Sequence, residues 1–157
     1  MEALRLTQDP ADQRRFVLEG VGTLRLLGLI SRRTAVAEAG AHRWQILSTG
    51  FWPPVIRATD AAAGTVVGEY KVRRLRRGGA LRWAGREFGL RPDSSRSGRH
   101  VLVEGDRRLA TIEGEGWGKR PVDMGADASA LADPGLLLFA TFVVRALAQR
   151  TDGAAVT

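Results

Sequence analysis

The sequence predicts a mainly β domain, a closed antiparallel barrel wrapped around one hydrophobic C-terminal helix. Three observations lead there. Short strand-like runs punctuated by turn residues fill the chain up to about residue 130. The last element, ADPGLLLFATFVVRALAQR (Ala132 to Arg150), holds nine uncharged residues in a row, Leu136 to Val144, with no polar stripe. That run is too short for a membrane span, which takes about 20 mostly apolar residues. Extending it to Ala148 brings in Arg145, whose charge is costly in a bilayer. A helix apolar all round is normally surrounded by protein. One sheet face covers half of it, whereas a closed sheet covers it all. An antiparallel sheet curled around a long C-terminal helix (an α+β arrangement) is the alternative.

In chain order, strands are expected near Phe16–Glu19, Leu24–Ile30, Arg33–Ala37, Arg43–Ser48, Val55–Ala58 and Thr65–Arg73. Five more follow near Ala80–Trp83, Glu87–Arg91, His100–Glu104, Arg107–Glu113 and Arg120–Met124. VVGEYKV alternates, which sets Val66, Tyr70 and Val72 on one face and Glu69 and Lys71 on the other. In HVLVEGDRRLATIEG a two-residue Gly105-Asp106 turn would put Glu104 opposite Arg107 and Leu102 opposite Leu109. ATDAAAGT makes a hairpin with a longer loop, and RPDSSRSGR reads as a polar loop. Ala35–Ala41 fits either a strand or a helical turn.

The helix is expected over 134–150. Asp133 sits at the N-cap position, and Pro134 takes the first turn, where its missing N–H costs nothing. Arg145 and Arg150 fall toward the end that favours cations. Its core-facing residues are Leu136, Phe139, Phe142, Val143 and Leu147. One domain over 14–150 is expected, with 1–13 and 151–157 loose.

The helix DPGLLLFATFVVRALAQR and the hairpin-rich block FGLRPDSSRSGRHVLVEGDRRLATIEGEGWG before it carry a resemblance. Many short strands followed by one wholly apolar helix resemble the tubby C-terminal-like fold. Tubby proteins, phospholipid scramblases and LURP-one-related proteins share that fold. The short, single-domain chain is most similar to bacterial LURP-one-related proteins. The resemblance covers roughly Phe16 to Arg150 and implies about twelve strands threaded by the helix. The calcium-binding segment of scramblases is not evident, and the phosphoinositide-binding cations of tubby proteins find no residue-by-residue match. The resemblance therefore implies a fold and leaves function to the site.

Composition narrows the chemistry. The 157 residues include no Cys, which excludes disulfides, Cys-based zinc sites and thiol catalysis. MEALRLTQDPADQRR is polar and of mixed charge, so no secretion signal is read and a cytoplasmic or membrane-peripheral location is expected. The formal charge of +7 favours phosphate-bearing partners. Apart from Lys71 and Lys119 the bases are all Arg, a skew that also follows from a GC-rich genome, so the charge alone says less.

The densest feature is KVRRLRRGG, where Lys71, Arg73, Arg74, Arg76 and Arg77 crowd the end of a strand and its turn. They form the expected anionic site, with Lys119, Arg120 and Trp52 as secondary candidates. The bland reading of such a run is a solvated hairpin tip whose charges block edge pairing. No HExxH, GxSxG or P-loop occurs, and GEGWGKR lacks the spacing of a phosphate loop. No cofactor and no metal site is expected.

These readings point to a non-enzymatic binding or scaffold module for an anionic phospholipid headgroup or membrane surface. The alternatives are an enzyme at one barrel mouth, around His42, His100 and the Gly114–Arg120 loop, and non-specific nucleic-acid binding.

Overall fold

The computed structural model describes residues 1–27, 34–49, 55–72, 78–95 and 97–156, with side chains up to Gln149. The strands are β1 Glu2–Asp9, β2 Asp12–Leu18, β3 Gly22–Leu27, β4 Thr34–Ala39, β5 His42–Thr49 and β6 Val55–Asp60. They continue as β7 Val66–Val72, β8 Gly79–Trp83, β9 Arg86–Pro92, β10 Arg99–Glu104, β11 Arg107–Glu113 and β12 Val122–Ala126. Two helices follow, α1 Ala128–Leu131 and α2 Pro134–Val156.

Each strand pairs antiparallel with its sequence neighbours, and β12 pairs with β1 to close the ring. Closure removes both sheet edges, which otherwise invite pairing with other chains. It corrects the expectation that residues 1–13 are loose. β1 is the twelfth strand, in register Leu4↔Met124 and Leu6↔Leu18, with Leu4 and Leu6 pointing into the core. EALRLTQD offers only those two large apolar residues, too few to stand out as a strand in isolation.

α2 fills the ring. Leu136 through Phe142, with Val143 and Val144, are at most 1% exposed, so the helix has no solvent face along this stretch. It packs on β3, β4, β7, β10 and β11, that is, on several sides. Of the expected core set Leu136, Phe139, Phe142 and Val143 are buried, and Leu147 is partly buried against the same core. Asp133 caps the helix as expected, its carboxylate accepting from the Leu136 N–H at 3.4 Å. Thr141, the one polar side chain in the buried stretch, donates to the Leu137 carbonyl at 2.6 Å and so enters the core satisfied.

The strands are thinned where the helix comes close. β4 is a strand rather than a helical turn, and Ala35, Ala37 and Ala39 are its inward residues. A Cβ on Gly22 would lie 2.9 Å from Leu138 Cδ1. Where α2 enters, Gly135 sits under an edge-on pair, Trp44 and Trp83, and Trp83 packs on Phe139 at 5.6 Å.

Local registers depart from simple alternation at three places, at Gln8/Asp9 beside the β1–β2 turn and at two bulges that bear on expected facings. Glu104 faces Arg107 as expected, but a bulge after Leu102 sets Leu102 opposite Ala110 and leaves Leu109 as the extra residue. Both Leu109 and Ala110 are then buried. A second bulge at Ala58/Thr59 turns Val66 outward, 57% exposed, while Tyr70 stays inside. Val66 therefore does not share the face of Tyr70.

The helix also runs past residue 150 to Val156, so Arg145 lies well inside it instead of near its end. Its guanidinium leaves the helix axis to bond the Gly114 carbonyl at 3.0 Å and to lie over the Trp117 ring.

Two outcomes follow from the enclosed helix. Truncation after Asp133 leaves the barrel hollow, so the product should show no cooperative thermal transition; a cooperatively melting fragment refutes the core-helix architecture. Gly135→Ala raises helix propensity yet sets a methyl group against Trp44 and Trp83. It should lower stability by about 1–3 kcal/mol through overpacking, measured by urea denaturation.

Candidate functional site

An up-and-down barrel has two mouths, and its connections alternate between them. One mouth carries the β2–β3, β4–β5, β6–β7, β8–β9 and β10–β11 turns and the entry of α2. The other carries the β1–β2, β3–β4, β5–β6, β7–β8, β9–β10 and β11–β12 connections and the side from which α2 leaves.

The chain distributes its charge unequally between them. The connections at the entry mouth, through Asp133, contain Glu19, Asp106, Asp127 and Asp133 and no cation. Among the described residues, those at the exit mouth contain Lys119 and Arg120 as well as Asp93 and Glu115, so the contrast lies in the lack of entry-mouth cations and in the ion pairing.

Ion pairing sharpens the contrast. On the barrel wall and near the entry mouth, cations meet carboxylates: Arg57 with Glu69 (2.9 Å), Arg82 with Glu87 (3.5 Å), Arg86 with Glu104 (2.9 Å), Arg43 with Glu38 (3.7 Å) and Arg107 with Asp127 (3.1 Å). Arg5–Asp123 and Arg25–Asp12 are paired likewise. Among the described residues, Arg14, Arg15, Arg91, Arg99, Lys119 and Arg120 make no ion pair; all but Arg15, which stands midway along β2, lie at the exit mouth, where Asp9, Asp93 and Glu115 make none either. Arg108 makes no ion pair either; its backbone is near the entry end of β11, while its charge acts on Asp93 of the β9–β10 connection.

The sequence-predicted residues distribute as follows. Lys71 is exposed near the end of β7 and pairs with Glu69 at 3.3 Å, so its charge is partly matched. Arg73, Arg74, Arg76, Arg77 and Trp52 lie outside the described residues. Lys119 and Arg120 are exposed on the β11–β12 connection, at the same mouth as Lys71 and separated from it by the β9–β10 connection. Sequence reading missed Arg14, Arg15, Arg91 and Arg99. Arg14, Arg91 and Arg99 stand close to strand ends at this mouth and Arg15 midway along β2, a signal visible only once β1 is counted and the connections are assigned to their ends.

Three carboxylates, Glu113, Glu115 and Asp123, and one cation, Arg120, line a shallow cleft of about 570 Å³ with Ser97 and Pro121. Beneath it, Trp117 packs on Phe16 at 5.1 Å and donates its indole N–H to the Glu113 carbonyl. The connection is thus pinned at Trp117 while Lys119 and Arg120 face solvent.

The two histidines do not meet. His42 is exposed in the β4–β5 hairpin at the entry mouth, stacked on Trp44. His100 begins β10 at the exit mouth. The one-mouth grouping of His42, His100 and Gly114–Arg120 is therefore corrected, because β4–β5 and β9–β10 connect at opposite ends. Burial pushes the His100 imidazole below its usual value of 6.5, with the Gly98 backbone opposing, and Nδ1 is buried without a hydrogen-bond partner among the described residues. Among the described residues no cluster of three or more His, Asp or Glu is placed to hold a metal ion. No helix there is long and apolar enough to cross a membrane.

No known protein family, no curated protein and no solved structure matches the chain.

The His100 shift has a sign that experiment can check. The unfolded chain binds the proton more tightly than the folded one, so stability falls as pH drops below about 6.5 and stops falling below the folded-state pKa. His100→Gln should flatten that part of the pH profile, read as urea midpoints between about pH 7.5 and 5. An unchanged profile assigns the proton uptake elsewhere.

Proposed function

We propose that the chain is a non-enzymatic docking module, built on the tubby-like, LURP-one-related plan, whose basic mouth engages anionic phospholipid headgroups at a cytoplasmic membrane surface. One observation carries the reading: the unpaired cations of the described wall collect at one mouth, while those elsewhere are mostly neutralised by neighbouring carboxylates. An anionic surface attracts such cations with about 1 kcal/mol each, falling off within a Debye length. The absence of a described acid partner matters because an existing ion pair must be broken or shared before a phosphate gains the full attraction.

The geometry suits a surface better than a buried small molecule. The barrel interior is taken by α2, and the cleft at this mouth is open and shallow. The cations lie along one arc of the barrel, on β2, β9, β10 and the β11–β12 connection, where several headgroups of a surface can meet them at once.

Flotation with vesicles of phosphatidylcholine, with and without about 30 mol% phosphatidylglycerol, tests it: binding should require the anionic lipid and weaken with salt. Charge reversal at Arg91, Arg99, Lys119 and Arg120 should cut the partition coefficient by about a hundredfold or more. Equal binding to both vesicles, or no loss in the variant, refutes the proposal. Retention on single-stranded nucleic acid with a steep salt dependence, in place of flotation, replaces lipid with nucleic acid as the ligand.

A further inference from the structure

We infer that the protein associates head to tail with further copies of itself, the acidic entry mouth of one barrel meeting the basic exit mouth of the next. This rests on the described side chains at the two rims and is independent of the lipid reading, although both use the basic mouth.

At the entry mouth the cations near the rim are already matched. Arg43, Arg82, Arg86 and Arg107 are held by Glu38, Glu87, Glu104 and Asp127. What remains uncompensated is mainly acid. Glu2, Glu19 and Asp106 are exposed and form no ion pair, against Arg108 and the terminal amino group. Glu2 and Glu19 line a cleft of about 580 Å³ beside β1 together with Leu4, Leu131 and the Arg5–Asp123 ion pair, so three carboxylates there face one cation. A cleft of that size admits an arginine side chain, with its stem on the leucines and its guanidinium at the carboxylates.

The complementary surface is the opposite rim of the same chain. Arg14, Arg91, Arg99, Lys119 and Arg120 stand there without an ion pair among the described residues, outnumbering the unpaired acids Asp9, Asp93 and Glu115. Every copy therefore carries both halves of the contact at opposite ends of one rigid barrel. Edge-to-edge strand addition is unavailable, since the ring is closed. Contact between two different faces is heterologous, and with the faces at opposite ends it propagates as an open chain instead of closing into a dimer. Attraction between exposed charges is screened beyond about 8 Å at physiological ionic strength, so the chain should lengthen as salt is lowered.

Sedimentation velocity of the full chain, lipid-free, tests the inference at about 20 mM and about 500 mM salt. The wild type should exceed twice its 17.0 kDa monomer mass at low salt and return to it at high salt. Glu19→Lys with Asp106→Lys gives a copy with two basic mouths, and Lys119→Glu with Arg120→Glu weakens or reverses the basic one. All four positions are exposed, and thermal melts report whether the fold is kept. Each double variant alone should stay monomeric at low salt, and their equimolar mixture should associate again. A wild type that remains a monomer at low salt overturns the inference. So do variants that assemble as the wild type does, or a mixture that stays monomeric.

Discussion

The structure depends on enclosing a helix that has no polar face. From Leu136 to Val144 every position of α2 is apolar or, at Thr141, internally hydrogen-bonded, so water must be excluded on all sides at once. A single sheet face or a neighbouring helix meets only part of that requirement. Twelve strands closed into a ring meet all of it, and the details of the wall follow from the helix it holds. Ala35, Ala37, Ala39 and Gly22 bring β3 and β4 close to α2, whereas Tyr70, Leu81, Phe88 and Leu90 fill the wider side. At the entry, Gly135 lets Trp44 and Trp83 lie against the helix start. At the exit, Arg145 turns out of the helix to hold the Gly114 carbonyl and cover Trp117, which keeps the last charged group of the buried segment away from the hydrocarbon.

A barrel filled this way has little interior left for a ligand, so whatever it recognises meets its outside. The wall offers little. Across β6, β7, β8 and β9, Arg57, Glu69, Arg82 and Glu87 stand opposite one another in register, an alternating ladder with ion pairs of 2.9 and 3.5 Å. Such exposed pairs contribute roughly 0–1 kcal/mol each to stability. Their larger effect is to cancel the charge of the wall. Among the described side chains, the cations left without an ion pair lie mainly toward one end.

Much of this was legible in the sequence because the helix announced itself. Nine uncharged residues behind an Asp-Pro cap, too short to span a bilayer, required a surrounding sheet, and the turn residues supplied its strands. What stayed hidden has physical reasons. β1 contributes only Leu4 and Leu6 to the core and is held by pairing with β12, more than a hundred residues away in the chain. The bulges at Ala58/Thr59 and Leu102/Val103 each insert one residue, which alternation alone cannot register, and they reverse the expected facing of Val66 and bury Leu109 beside Ala110. The site was half visible. KVRRLRRGG stood out by density, but Arg14, Arg91 and Arg99 are scattered singly or in pairs, and closure of the ring alone gathers them at one mouth.

The asymmetry between mouths bears on orientation as well as affinity. Acids that cap α1 and α2, Asp127 and Asp133, belong at the entry because helix N-termini favour negative charge, and α2 can enter the ring only there. Fixing the helix direction thus fixes which mouth is acidic in its caps, and the odd-numbered strands then carry their following connections, Lys119 and Arg120 among their residues, to the other end. A neutral wall with charged ends gives the molecule a dipole along the barrel axis. In the field of an anionic surface, that dipole turns the exit mouth toward the surface before any contact forms, since rotation costs no ion pair. The same dipole turns two free copies end to end. Enclosure of one apolar helix therefore sets the fold, the placement of its caps, and the direction from which a charged partner meets the protein.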